Sequence, residues 1–398
     1  MDKNRQTTER GLIALFAVAS GLSVANVYYA QPLLDALAQS FAISQAAVGG
    51  VVTATQVGSA LALLLLVPLG DIVERRRLLL VQLLALMIAL SAVALAQSAV
   101  VLLTGMLATG LLGTAMTQGL IASAASIASE QERGRVVGAA QGGVFIGLLL
   151  ARVFAGVISD LAGWRAVYGV SALLMMMLLL LLRQRLPVMR ASAVSESWFR
   201  LMSSMLTLLC TDRVLQIRGV LALLMFAAFN IFWSAMVLPL SAAPFGFSHT
   251  AIGLFALAGV AGALVASRAG KEADRGNAQR TSLLSLLLLL LAWWPLSRLE
   301  HSLALLILGI VLLDLGGQAL HVTNQSLILR TNVAQHGRLV ALYMLFYATG
   351  SGLGAMATTV IYARFGWQGV CLLGASVSLL ALIVWSTTRR WMRLNNTP

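Results

Sequence analysis

Between Arg77 and Glu130 the chain carries no Asp, Glu, Lys or Arg, and stretches of the same character recur from one end to the other. A run of about twenty apolar residues is long enough to cross a bilayer as a helix. Twelve such spans can be drawn, beginning near Gly11, Gln45, Leu78, Val100, Val136, Trp164, Val214, Thr250, Ser282, Ser302, Leu339 and Trp367. In hydrocarbon every backbone N–H and C=O must be satisfied within the structure, so only helices and closed barrels span. A barrel needs short strands of alternating polarity, whereas these runs are continuous. The expected fold is an all-α membrane protein of twelve transmembrane helices.

Composition agrees, with 59% hydrophobic and 10% charged residues over 398 positions and a mean hydropathy of +0.90. The net charge of +13 raises the question of a nucleic-acid partner, and the placement of the basic residues answers it. With the N-terminus in the cytoplasm, Lys and Arg concentrate in the tails and in the loops after even-numbered spans, among them Arg75, Arg76, Arg77, Arg133, Arg135, Arg183, Arg185, Lys271, Arg275, Arg338, Arg389 and Arg390. Only Arg152, Arg165, Arg298 and Arg364 are placed elsewhere. This is the positive-inside pattern, so the basic excess reports topology: a cytoplasmic (inner) membrane protein with both termini inside and no nucleic-acid role. Cys210 and Cys371 form no disulfide or zinc spacing. Trp164, Trp293, Trp294 and Trp367 fall at expected outer boundaries and read as interface anchors.

Sliding the chain against itself reveals a duplication. Gly70-Asp71 falls on Ala273-Asp274, Gly134-Arg135 on Gly337-Arg338, Gly147 on Gly350, Ala151 on Gly354, and Gly163-Trp164 on Gly366-Trp367. With one residue of slippage Asn26-Val27-Tyr28-Tyr29 falls on Asn230-Ile231-Phe232-Trp233. A repeated six-span unit accounts for these matches. The expected organisation is a first six-helix bundle over 1–182, a cytoplasmic linker over 183–213 and a second bundle over 214–398. In the linker, Trp198, Phe199, Leu201, Met202, Met205 and Leu206 are compatible with an interfacial amphipathic helix or with plain loop.

Particular residues now suggest a family. Pro68-Leu69-Gly70-Asp71 followed by Arg75-Arg76-Arg77 resembles the signature loop of the major facilitator superfamily, and Gly270 to Arg280, with Ala273-Asp274-Arg275, resembles its second copy. Gly147 to Gly156 is similar to the glycine-rich signature of the twelve-span drug/proton antiporter branch, and Asn26 to Pro32 resembles that branch's proline-terminated motif. The resemblance covers essentially the whole chain. It implies two pseudo-symmetric six-helix bundles, with spans 1, 4, 7 and 10 lining a central cavity. Some positions depart from the pattern. Val67 and Glu74 stand where the signature loop has glycines, Met106 stands where span 4 usually has arginine, and Ala151-Arg152 replaces a Gly-Pro pair, removing a kink and inserting a charge.

Arg152 lies about sixteen residues into span 5, slightly beyond the midplane at ~1.5 Å per residue. An arginine at that depth costs roughly 2.5 to 3.5 kcal/mol on insertion scales and should face protein or water and find an anion. Asp314, at similar depth in span 10, is the expected partner. It begins a stripe, Asp314, Gln318, His321 and Gln325, spaced along one face of an otherwise apolar helix. The resemblance implies that this face looks at substrate. Two readings stay open: Arg152 and Asp314 pair across the halves with Asp314 and His321 handling the proton, or the pair only fixes packing.

Asn26, Tyr29, Gln31, Gln118, Asn230 and Trp233 supply amide and aromatic groups at cavity depth, suited to neutral or cationic ligands, and equally to interhelical bonding. Asp71 and Arg75 are i, i+4 and would pair if the helix continues, with Glu130 near them. By resemblance Asp71, Arg75, Arg76 and Glu130, with Asp274 and Arg275 in the second copy, form a gating latch on the inner side. The alternative is that these arginines only set topology. No GxxxxGK[ST] motif is present and the four histidines lack metal-ligand spacing. The expected protein is not an enzyme and holds no metal or cofactor. It is a monomer in the lipid bilayer that uses the proton gradient to export small amphiphilic or drug-like compounds; the alternative is a proton-linked importer of a polar solute such as a sugar or organic anion.

Overall fold

A computed structural model describes residues 2–129, 132–188, 197–329 and 336–394. Among the described residues the chain is built of helices: α1 (Asp2–Ala25), α2 (Leu34–Phe41), α3 (Gly49–Leu61), α4 (Arg75–Ala94), α5 (Ala99–Ile127), α6 (Arg133–Ala162), α7 (Trp164–Arg185), α8 (Trp198–Thr211), α9 (Arg213–Ala235), α10 (Val237–Ser241), α11 (His249–Leu254), α12 (Val260–Glu272), α13 (Ala278–Leu296), α14 (Leu303–Leu329) and α15 (His336–Leu394). Among the described residues nine stretches are long and apolar enough to cross a membrane, and Arg10–Ala25 and His249–Gly262 are shorter apolar helices. The longest stretch bends at Gly366, whose φ of +61° is open to glycine, and so contains two limbs. Together these segments are consistent with the expected twelve spans.

Local chemistry starts several helices. Glu74 accepts from the Arg77 amide, Ser98 from Val101 and Asp212 from Leu215, each satisfying an orphan donor of a first turn. Span 8 is not one regular helix. α11 passes through a 3₁₀ segment, Phe255–Gly259, before α12 resumes.

Close backbone approach at glycine fixes the packing. α1 lies on α6 where Gly143 and Gly147 meet the backbone of Ala17 and Gly21, leaving no room for a Cβ. α9 lies on α15 in the same way, with Gly350 against Leu223 and Gly354 against Ala227. Gly147 and Gly350 are the residues that the duplication aligns, so corresponding positions make corresponding contacts. Small residues let membrane helices approach until their backbones touch.

The helices before and after the linker meet along α3 with α15 and along α6 with α11. These contacts gather on the side away from the chain termini, the outer side under the expected topology. Thr53 Oγ1 donates to Gly352 O at 2.8 Å, and Thr359 Oγ1 donates to Ala46 O at 3.1 Å. Gly156 packs on the His249 backbone and Gly253 on that of Arg152.

Linker residues Trp198–Thr211 form the helix α8, with Leu201 and Met205 buried and Phe199 and Leu206 exposed. The tryptophan expectation needs correction. Trp294 is exposed, but Trp164, Trp293 and Trp367 are buried and donate to Ser40 Oγ, Ser378 Oγ and Leu296 O. An indole N–H with a protein acceptor in reach packs inward.

Candidate functional site

Arg152 is 8% exposed and sits on α6 facing the chain's second half. Its Nε and Nη2 both donate to Gln31 Oε1, at 3.0 and 2.7 Å, and its Cζ lies 4.2 Å from the centre of the Trp233 ring. Gln31 Nε2 in turn donates to Asn230 Oδ1 at 2.8 Å. Three of the expected cavity residues, Gln31, Asn230 and Trp233, are thus joined to Arg152 in one buried cluster that ties α6 to α9. The amide turns its carbonyl to the guanidinium and its amine to Asn230, which uses both ends of Gln31. Trp233 adds a cation–π contact away from water, where such contacts are strongest.

The expected direct pair between Arg152 and Asp314 is not formed. Asp314 is 5% exposed on α14, and its Oδ2 has no hydrogen-bond partner among the described residues. The reason is the irregular segment of span 8. Phe255–Gly259 packs against both α6 and α14, so the two charges share a depth but not a contact. Gly259 and Gly262 leave the space that Asp314 occupies, since a Cβ on Gly259 would lie 2.7 Å from Asp314 Oδ2.

The rest of the stripe divides. Gln318 is half-buried and lies against Gly262 of α12. His321 faces the other neighbours of α14, with Nδ1 2.9 Å from Tyr343 Oη and its ring 5.3 Å from that of Phe226. Gln325 is half-buried further inward. Asp314 and His321 are not in contact.

Two expected cavity residues belong instead to the packing of the first-half helices. Asn26 is fully buried, accepts from Ser171 Oγ at 2.6 Å and donates to Leu22 O at 2.8 Å, which binds α1 to α7. Tyr29 packs between Phe154, tilted against it, and Tyr168, edge-on to it. Gln118 lines a cavity of about 360 Å³ on the inner side, bounded by Pro68, Leu79, Arg75, Met205 and Arg338 among others. That cavity brings the loop after span 2, α5, the linker helix and the start of α15 around one space.

The inner loop does not continue the helix as the i, i+4 pairing of Asp71 with Arg75 requires. A short 3₁₀ turn over Pro68–Asp71 ends before α4 begins at Arg75, and Glu74 caps the new helix. Arg75 Nε donates to Gly70 O at 2.9 Å and Nη1 to Ala122 O at 3.3 Å, connecting the loop to α5. Arg76 Nη2 donates to Arg183 O at 2.7 Å, at the end of α7. In the second copy Arg275 pairs with Glu272 at 2.8 Å, beside Gly276 at φ +87°. Glu130, and the side chains of Asp71 and Asp274, lie outside the described residues.

Two groups escaped sequence reasoning. Arg218, placed among the inner flanking charges, is fully buried in α9 and donates through Nη1 to Ser282 Oγ at 2.8 Å and Asn324 Oδ1 at 3.2 Å. Its signal was an arginine five residues inside a span, masked by its neighbour Arg213. The second group is His249 between Asp35 and Asp160 at the outer side. These three come from distant segments and each sits at a helix end, so no local spacing marks them.

Comparison with known proteins agrees with this architecture. The family model of the Major Facilitator Superfamily matches residues 13–280 and 219–393. The chain is 42% identical over 392 residues to the putative uncharacterized transporter YgaY of Escherichia coli K12, covering 97% of each chain. It is 31% identical to the probable transporter SCO4007 of Streptomyces coelicolor, over 95% of this chain and 87% of that one. Among solved structures, a bacterial homologue of the lysosomal transporter Spinster, inward-facing and occupied, matches 96% of this chain and 97% of its own with a TM-score of 0.78 at 13% identity. The nucleoside transporter NupG matches 94% and 99% with a TM-score of 0.77 at 14% identity. On its sequence and on its fold alike, the chain belongs to the Major Facilitator Superfamily of membrane transporters.

Proposed function

We propose that the protein is a proton-coupled antiporter of the cytoplasmic membrane that exports small amphiphilic compounds, with both termini in the cytoplasm and Asp314 carrying the proton. The observation that carries this reading is Asp314 itself, a buried carboxyl group with an unpartnered oxygen, while Arg152 is engaged by Gln31 and Trp233. A buried ionised carboxylate without direct pairing is costly, and a bound proton removes that charge. Opening of the protein exposes the group to water or to a cationic substrate, where it ionises. That difference between two states is what coupling requires.

The 3₁₀ segment beside Asp314 supplies a point at which span 8 can bend, and mid-helix 3₁₀ stretches often mark hinges. The inner cavity, mostly apolar with a few amide and guanidinium groups and about 360 Å³ in volume, has room for a small organic molecule.

The test is the proton signal in everted membrane vesicles holding a respiration-driven pH gradient, challenged in turn with lipophilic cations, sugars and organic acids. Collapse of the gradient by lipophilic cations in wild type, and none in Asp314→Asn, is the expected result. Indifference to every class, with folded protein in the membrane, would overturn the antiport reading. A second reading has one observation in its favour: Arg152 hydrogen-bonds a neutral amide and, among the described residues, no carboxylate, so its charge is left for an anionic solute to balance. In that importer, Arg152→Gln abolishes uptake of organic anions and leaves neutral solutes unaffected.

A further inference from the structure

His249 opens α11, and its side chain is 21% exposed at the outer side, just before the apolar run of span 8. Nε2 lies 2.9 Å from Asp35 Oδ1 and 3.1 Å from Oδ2, and Nδ1 lies 3.3 Å from Asp160 Oδ1. Asp35 belongs to α2 and Asp160 to the end of α6, both before the linker, whereas His249 follows it. The imidazole therefore joins the two halves of the chain at their outer ends.

Both ring nitrogens face carboxylates. A neutral imidazole offers one donor and one lone pair, so one of these contacts would set a lone pair against an anion. Only the protonated ring donates to both at once. The backbone adds a fixed part to the joint. The His249 and Thr250 amides donate to Asp160 at 3.1 and 2.7 Å, and Thr250 Oγ1 donates to the same carboxylate. These bonds hold Asp160 in place whatever the state of the ring.

We propose that His249, Asp35 and Asp160 form a proton-binding site open to the outer solution, and that the bound proton latches the outer ends of the two halves together. The site is separate from Asp314, and the inference does not rest on that residue carrying a coupled proton.

The charged groups around His249 are few. From α6 come Asp160 and, deeper, Arg152, whose guanidinium is turned to Gln31; from α2 comes Asp35; the turn Gln31–Leu33 and α10 contribute no titratable side chain. The hydrogen bond to Asp35, opposed in part by burial, holds the His249 pKa above the usual histidine range, with the two carboxylate charges adding to the effect. A group bound more tightly to its proton in the closed state stabilises that state at low pH. The stabilisation is complete below the ordinary histidine pKa and is lost as external pH rises through the raised value.

The test uses the full chain with Cys210→Ser and Cys371→Ala, spin-labelled through Gln97→Cys and Glu300→Cys on outer loops of the two halves, in lipid nanodiscs. Electron-electron distance distributions are recorded between pH 5 and 9. The closed-to-open ratio is expected to fall by up to about tenfold per pH unit across the titration. The series is recorded in an Asp314→Asn background, so that a proton taken up at that carboxyl does not enter the readout. His249→Gln should remove the slope, and His249→Arg should hold the outer side closed at every pH. A distribution indifferent to pH with His249 present, or a slope that survives His249→Gln, would overturn the latch.

Discussion

Arg152 shows how far a single residue can be read. Its depth, its permanent charge and its need for a partner follow from the sequence, yet depth fixes only height along the membrane normal. Which way a side chain points around its helix depends on neighbouring packing, and here Gln31 and Trp233 take the guanidinium while the irregular part of span 8 stands between it and Asp314. Gln31→Leu would strip the guanidinium of two charge-assisted hydrogen bonds. A loss of about 2–3 kcal/mol is expected in unfolding in detergent. Adding Arg152→Leu should recover most of it, because the unpaired charge leaves with the arginine. A double variant as unstable as the sum of the two singles would show that the contact is not what holds either residue. Asn26 and Tyr29 were legible as buried polar and aromatic positions but not as bundle core, since their partners Ser171, Phe154 and Tyr168 lie far along the chain.

Helices were far more legible than contacts. Apolar run length gives the spans, because the bilayer sets a minimum length and forbids irregular backbone facing lipid. The duplication gives more, since Gly147 and Gly350 mark the same close approach in the two halves. The 3₁₀ break in span 8 leaves no comparable mark, as it does not interrupt the hydropathy pattern. Gly147→Leu and Gly350→Leu should each force apart helices that touch backbone to backbone, at a cost of about 3 kcal/mol or more. Gly138→Leu, on the same α6 but facing open space, should be neutral within about 0.5 kcal/mol. Thermal unfolding of the three variants in detergent separates them. Equal losses at Gly138 and Gly147 would refute the close-approach explanation.

At the scale of the whole molecule, contacts of Thr53 with Gly352 and of His249 with Asp35 join the two parts of the chain toward the side away from the termini, and the cavity lined by Gln118 and Arg75 lies on the other side. Sequence reasoning recovered the family but not which side carries these contacts, because a duplicated chain is compatible with either side being closed. Closing the outer side permanently should stop transport. The Cβ position on Gly352 lies 3.7 Å from Thr53 Cγ2, within reach of a disulfide. Thr53→Cys with Gly352→Cys, in the background lacking Cys210 and Cys371, should therefore lose transport on oxidation and regain it with reductant; full transport in the oxidised state would mean that this contact need not open. The most direct measurement of the proposed coupling is proton release from the purified protein in weakly buffered detergent, read with a pH indicator as a lipophilic cation is added. Substrate-dependent release by wild type, absent from Asp314→Asn with binding retained, is the expected result, and equal release by both proteins would contradict a proton carried on Asp314.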